Sequence, residues 1–413
     1  MACVEPAPGL STIRSRTLHL ASLDVKYTSM IERPFWIQRI EEAWRQAPIA
    51  WLCGVRRCGK TTLATSLTPE RILYINCDLP QAAEMTRDPQ LFYQSCRKPV
   101  IVFDEVHQLS DPSRLLKIGA DAFPQLRILA TGSSTLAASR KFRDTLTGRK
   151  RVVHLQPVLW EELSSFGDMP LEKRLFHGGL PPALLSPSKP ADFYREWVDS
   201  FFARDLHRLF EFRDLNRFNA LFEYLLRQSG GQFEITKTAA AVGISRPTVE
   251  SHISALEITH ALTLVRPFCG GGQNEIVKQP KLYAFDTGFV SFARGWDPLR
   301  PEDLGILWEH LVLEHLQAQF PNTPIRYWRD KAGHEVDFVL AHRRDEVDVI
   351  ECKWDARAFE GRSLSVFRGY YPNGRNYLVT PSSVPGYEKS CGNIRIRVCT
   401  PTEISANHPT ADR

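Results

Sequence analysis

The chain has 413 residues, 43% hydrophobic and 24% charged, with a formal net charge of +5; such a length suggests about two to four domains, and the composition is that of an ordinary soluble globular protein. No stretch reaches the ~18 apolar residues of a membrane span, and the opening MACVEPAPGLSTIRSR lacks the apolar run of a signal peptide, so the expectation is a cytoplasmic protein without a membrane partner. The nine cysteines form no C-x-x-C pair, so neither a zinc ribbon nor a disulfide framework is indicated, and so small a net charge leaves any nucleic-acid contact to a local basic patch.

Residues 1–30 have weak periodicity and read as an N-terminal extension. RPFWIQRIEEAWRQ, from Arg33, spaces its apolar positions as a helix does. From there to about residue 165, strand and helix patterns alternate, with strands expected at Pro48–Cys53, Ile72–Cys77, Val100–Asp104, Leu126–Thr131 and Val152–Leu155. That alternation predicts an α/β core with a parallel sheet.

Two motifs sit on this core. GVRRCGKTTL fits G-x-x-x-x-G-K-[ST] with Gly54, Gly59, Lys60 and Thr61, between an apolar strand and a helix. The glycines let backbone N–H groups approach phosphate oxygens, Lys60 adds a compact charge at the β/γ-phosphates, and the Thr61 hydroxyl suits Mg²⁺. The loop Gly54, Val55, Arg56, Arg57, Cys58, Gly59, Lys60, Thr61 and Thr62 is therefore assigned to ATP, as the cofactor, with Mg²⁺. The second motif, VIVFDE, ends a strand 44 residues after Lys60. Asp104 there would hold Mg²⁺, and Glu105 would polarise the attacking water as general base.

With Asp-Glu at that strand end, an extra strand is expected between the two motif strands; LRILATGSS would bring Thr131 or Ser133 near the γ-phosphate. SRKFRDTLTGRKRVV carries Arg140, Lys141, Arg143, Arg149, Lys150 and Arg151 against a single acid, Asp144. Its uses are an arginine finger toward a neighbouring subunit, a nucleic-acid backbone contact, or a solvated surface.

Residues 166–212 read as a helical linker or lid, broken by GGLPP. Residues 213–285 read as a winged helix: FNALFEYLLRQSG, then two helices around VGIS, with Gly243 in the turn and Ser245 as N-cap, then a strand and the glycine-rich wing tip CGGGQN. The second of these helices offers only Arg246 and His252 against Glu250 and Glu257. Residues 286–402 hold a further constellation. Glu309 and Glu314 lie on one helix, Asp337 on a strand, and Glu351 with Lys353 on the next as E-x-K. Carboxylates so placed suit Mg²⁺ or Mn²⁺, with the lysine orienting water. Residues 403–413 read as a disordered tail.

Together these pieces, with PVLWEEL, GGLPPALL, FFARDL, KLYAFDTGF, LGILWEHLVLEHL, YWRDKAGHEVDFVL and VIECKW, resemble the prokaryotic AAA+-type P-loop ATPases whose C-terminal half is a domain of unknown function, a winged helix plus a PD-(D/E)XK-nuclease-like fold. The resemblance runs from about residue 30 to 355. It implies an ATP-dependent, homo-oligomeric engine, a ring being one form, joined to a DNA-handling half. It implies Lys60, Thr61, Asp104 and Glu105 as nucleotide residues, and Arg149 as the arginine contact. It implies Glu309, rather than Glu314, with Asp337, Glu351 and Lys353 as the nuclease-like site. Cys58 departs from the apolar or small residue usual in relatives. Three functions follow as expectations: a DNA-remodelling ATPase, an ATP-controlled metal-dependent nuclease, and a nucleotide switch acting on a protein partner.

Overall fold

The computed structural model describes residues 31–68, 70–132, 140–206, 215–270, 279–343, 346–382 and 385–404. The N-terminal extension, Ser133, the wing tip 271–278 and the tail from 405 lie outside these residues.

Five strands, β1 (Ile49–Cys53), β2 (Ile72–Asn76), β3 (Val100–Asp104), β4 (Arg127–Thr131) and β5 (Lys150–His154), form one parallel sheet in the order β2-β3-β4-β1-β5. β1 and β3 are buried at every position, as expected of strands covered on both faces. β4 lies between the two motif strands, where the Asp-Glu ending had placed it. The helix Pro34–Gln46 packs Trp36, Ile40 and Trp44 against the core, and the Trp44 indole donates to the Ile128 carbonyl at 2.9 Å.

The described part of the expected linker or lid, residues 166–206, packs on chain that follows much later. The helices Leu171–His177 and Ala191–Phe201 pack on Thr287–Ala293, which is far along the chain. Arg174 is fully buried, donating to the Val158 carbonyl, the Thr287 hydroxyl and Glu314, while Asp286 accepts from the Gly179 N–H at 2.6 Å. Trp197 stacks on Phe285. Glu314, the helix carboxylate not carried into the nuclease-like site, is thus the buried partner of Arg174.

Three helices, Leu215–Arg227, Ile235–Val242 and Arg246–Ile258, follow. The middle one ends at Gly243 in the left-handed region (φ 72°), and the Ser245 hydroxyl accepts from the Thr248 N–H at the start of the third. β6 (Leu262–Pro267) and β7 (Lys281–Ala284) then pair antiparallel. This hairpin does not stop at residue 285. β6 also pairs parallel with β8 (Ile325–Arg329). An eight-stranded sheet results, ordered β12-β13-β11-β10-β9-β8-β6-β7, with β9 at Glu335–Arg343, β10 at Glu346–Cys352, β11 at Asn376–Val379, β12 at Tyr387–Cys391 and β13 at Ile394–Cys399. Pairing satisfies the edge N–H and C=O groups of β8 that would otherwise be exposed. The helix Pro301–Gln319 crosses one face of the sheet, its Trp308 indole donating to the Val379 carbonyl at 3.0 Å. Glu403 belongs to the fold and not to the tail: it accepts from the Thr400 N–H at 3.0 Å and from Arg397 at 3.3 Å.

Candidate nucleotide site

The loop after β1 turns through Gly54 (φ 146°) and Gly59 (φ 97°). A Cβ on Gly54 would lie 2.5 Å from the Leu155 carbonyl oxygen, so only glycine lets the loop pass β5 this closely. The Lys60 ammonium donates to the carbonyls of Gly54 and Val55 at 2.9 and 3.1 Å, folded along the loop that it follows.

Asp104, at the end of β3, is 3% exposed and is the hub of the site. One carboxylate oxygen accepts from the Thr61 hydroxyl at 2.8 Å and the Tyr74 hydroxyl at 2.7 Å; the other accepts from the Thr131 hydroxyl at 2.5 Å. Thr131 in turn accepts from the Glu105 N–H at 2.9 Å. Glu105 sits in the left-handed region (φ 55°), an unusual place for a non-glycine residue. Its carboxylate lies 3.2 Å from the His107 ring. Burial pushes the Glu105 carboxyl up, but the His107 hydrogen bond and the charges of Lys60, His107 and Arg56 outweigh it and hold the group below its usual range. It is ionised at neutral pH, as a general base must be. Thr131 is placed beside both motif acids, whereas Ser133 lies outside the described residues.

The loop is also clamped from outside. Buried Arg33 donates to the Cys58 carbonyl at 3.0 Å and forms a two-pronged pair with Glu162 at 2.6 and 2.7 Å. The Trp197 indole donates to the Arg56 carbonyl at 3.0 Å, and the Arg56 side chain pairs with Asp205 at 3.2 Å. Arg57 lies over the Phe193 ring. Beneath the loop, the His154 and His260 rings stack at 3.9 Å, and the His260 Nε2 is 3.9 Å from the Cys53 sulfur. Motif reading assigned no site role to Arg33, Tyr74, His107, Glu162, Trp197, Asp205 or His260, although Arg33, Tyr74, Glu162 and Asp205 lie in segments noted for their pattern, RPFWIQRIEEAWRQ, the strand Ile72–Cys77, PVLWEEL and FFARDL. Arg149 is turned onto its own chain, pairing in parallel with both oxygens of Asp121 at 2.6 and 3.0 Å.

The C-terminal carboxylates also come together, but as ion pairs. The Lys353 ammonium lies 3.4 Å from both Asp337 and Glu351, and the Cys352 N–H donates to Asp337 at 2.8 Å. Lys281, on β7 and 4% exposed, reaches Glu309 at 3.1 Å and Glu335 at 2.5 Å, and the Tyr283 hydroxyl donates to Glu309. Burial and the Asp337 charge push Glu309 up and Glu351 well up. Burial pulls Lys281 and Lys353 down, but the surrounding carboxylates outweigh it and raise both. Among the described residues no group of three or more His, Cys, Asp or Glu is arranged to hold a metal ion. The carboxylates expected as metal ligands, Glu309, Asp337 and Glu351, are thus brought together with Lys353 as the E-x-K reading has it, and a second ammonium, that of Lys281, joins them from a strand outside the motif.

Sheet order, loop and acid pair are those of a P-loop nucleotide-binding core. Residues 46–164 match the family model described as an AAA domain. Residues 169–300 and 304–393 match two domains of unknown function, DUF8612 and DUF4143. Among curated proteins, uncharacterized proteins of Mycobacterium bovis and Mycobacterium tuberculosis are each 26% identical over 321 residues, 75% of this chain and 71% of theirs. Among solved structures, a variant of Thermotoga maritima RuvB aligns at 16% identity and a TM-score of 0.29, over 56% of this chain and 89% of its own. Cdc6p of Pyrobaculum aerophilum aligns at 12% identity and 0.28, over 65% and 95%. No helix among the described residues is long and apolar enough to cross a membrane.

Proposed function

We propose that this chain is a cytoplasmic ATP hydrolase that couples its nucleotide cycle to DNA as a homo-oligomer. The observation that carries the reading is the clamp on Asp104: Thr61, Tyr74 and Thr131 fix one carboxylate between the phosphate loop and the ionised Glu105. The Thr61 hydroxyl and Asp104 oxygens form a hard-oxygen donor pair, and these two residues would hold Mg²⁺, which neutralises phosphate charge when bound. Lys60 binds the β/γ-phosphates by exchanging its carbonyl partners for phosphate oxygens. Glu105 accepts the proton of the attacking water. Arg149 reaches a neighbouring subunit once released from Asp121.

DNA coupling is supported by the helix–turn–helix and hairpin at 215–284. One observation favours a second reading, a switch acting on a protein partner. His252, one of two cationic candidates on the helix Arg246–Ile258, is buried with its Nδ1 at 2.6 Å from the Thr248 carbonyl. The exposed residues of this helix include Arg246, Glu250 and Ile258, a surface suited to protein contact. Phosphate release with Mg-ATP, alone and with single-stranded, duplex or four-way-junction DNA, tests the proposal against Lys60→Ala. Stimulation by one DNA form supports it. Turnover above that blank but indifferent to DNA moves the function to the protein-partner switch, and turnover no higher than the blank refutes hydrolysis.

A further inference from the structure

The helix Arg246–Ile258 is poor in cations, so a polyanion needs another surface. One exists at the far edge of the eight-stranded sheet. A cleft of about 500 Å³ is lined by Arg368, Arg375, Arg395 and Arg397, with Glu388 and Glu403 among its acids. The four arginines leave a surplus of positive charge on the lining. Two are fixed in place. Arg368 is 9% exposed and spends its donors on four neutral oxygens, those of the Asn376 side chain and the Tyr371, Asn373 and Arg375 carbonyls, at 2.6 to 3.0 Å. Its charge is therefore held at the cleft wall without being neutralised by those partners. Arg375 is oriented by Asp348 at 3.0 Å.

The other two alternate along β13, with Ile396 between them packed into the core. Same-face positions two apart on a strand are about 6.6 Å apart, the scale on which phosphates follow one another in an extended strand. Arg397 pairs with Glu403 at 3.3 Å. Arg395 is exposed, and its side chain has no hydrogen bond or ion pair among the described residues. Its carbonyl accepts from the Asn376 amide at 2.9 Å, which fixes the backbone beneath it. A guanidinium fork recognises phosphate oxygens through parallel N–H donors, and Arg395 presents such a fork beside the fixed charge of Arg368.

We infer that this cleft binds the phosphate backbone of a single nucleic-acid strand, with Arg395 as its outermost contact. The inference rests on the DNA reading above for the identity of the polyanion and adds where the strand is held. The test is fluorescence anisotropy of a labelled single-stranded oligonucleotide across a salt series, on the full chain and on Arg395→Glu. Thermal midpoint and ATP binding check that the variant is intact. Affinity should fall at least tenfold at low salt, and the slope of log affinity against log salt should shrink by about 0.7 for each phosphate that is no longer neutralised. Equal affinity and slope in the two proteins would overturn the cleft while leaving the DNA reading standing. No binding by the unsubstituted chain would overturn both. A third arm uses the mononucleotide dAMP in a Lys60→Ala background, where the phosphate loop cannot contribute. Binding of dAMP as tight as that of the strand, and abolished by Arg395→Glu, would make a free nucleotide the ligand and overturn the strand.

Discussion

Replacing Lys281 by methionine tests whether the C-terminal carboxylate cluster is a closed ion-pair network. At 3.1 Å from Glu309 and 2.5 Å from Glu335, with an effective dielectric of about 20, the two gross attractions are about 5 and 7 kcal/mol. Most of that is offset by stripping water from all three groups. The net cost of removing one member of a buried pair is about 3–5 kcal/mol, carried here chiefly by Glu309, which keeps only the Tyr283 hydroxyl, since Glu335 retains Arg329 at 2.9 Å. Methionine keeps the apolar stem, so the change isolates the charge. With a urea slope of about 3 kcal/mol/M, the fluorescence midpoint of the transition that exposes Trp328 in β8 should fall by about 1–1.5 M. The unsubstituted chain should show no shift of that midpoint with millimolar Mn²⁺, since its carboxylates already have their counter-charge. A Mn²⁺-dependent shift abolished by Asp337→Ala, or a Lys281→Met midpoint within 0.2 M (~0.6 kcal/mol) of the parent, would refute the reasoning.

The nucleotide site yields sharper contrasts. Lys60→Ala should lose ATP binding in a fluorescent-nucleotide titration, while Glu105→Gln should bind normally and hydrolyse about 10²–10⁴-fold more slowly; turnover surviving both changes removes the assignment. Thr131→Ala deletes the bridge from Asp104 to the Glu105 N–H and should slow hydrolysis more than it weakens binding, seen as a fall in kcat at nearly constant KM. Arg149→Ala should lower kcat by about 10³ or more with ATP affinity unchanged; full turnover in that variant puts the arginine contact elsewhere. The His260 imidazole, buried and repelled by Lys60, is pushed down to about 4 from an ordinary 6.5. Its contribution to stability is thus complete above pH 6.5 and is lost as the pH falls toward 4, by about 3 kcal/mol at most. His260→Phe should flatten that part of the pH–stability curve, and an unchanged slope would clear His260 of it.

What was legible in the sequence was what is local. Gly54, Gly59 and Lys60 lie within one loop, and Val100–Asp104 is an unbroken apolar run ending in acids, so their geometry follows from spacing. Gly243 and Ser245 likewise read as a turn and a cap because each acts within three residues. Partners brought in by distant chain were invisible. Tyr74 reaches Asp104 only because β2 and β3 pair in the register Asn76 to Asp104, and no pattern in ILYIN marks its hydroxyl. Lys281 was missed for a sharper reason. All four residues of β7 are buried, so a lysine that would face solvent in an alternating strand faces the carboxylates instead. The pairing of β6 with β8 across the expected boundary at residue 285 was hidden on the same ground.

These distant contacts also bear on how a nucleotide would be sensed. The phosphate loop does not rest on the five-stranded sheet alone. Its carbonyls at Arg56 and Cys58 are held by Trp197 and Arg33, its Arg56 side chain by Asp205, and the strand leading into it touches His260 at the end of the helix Arg246–Ile258. Trp197 also stacks on Phe285, which follows β7, the strand that carries Lys281 and Tyr283. A loop that moves its carbonyls or Lys60 to accept phosphate must therefore load the helix–turn–helix through His260 and the eight-stranded sheet through Trp197. His260 is held at φ 60°, a backbone state that the surrounding contacts must maintain. Closely packed interiors shift between discrete arrangements and deform little. Nucleotide binding should consequently register in both C-terminal elements together, and hydrogen exchange with and without ATP would show protection changing at 246–258 and 281–284 in one step.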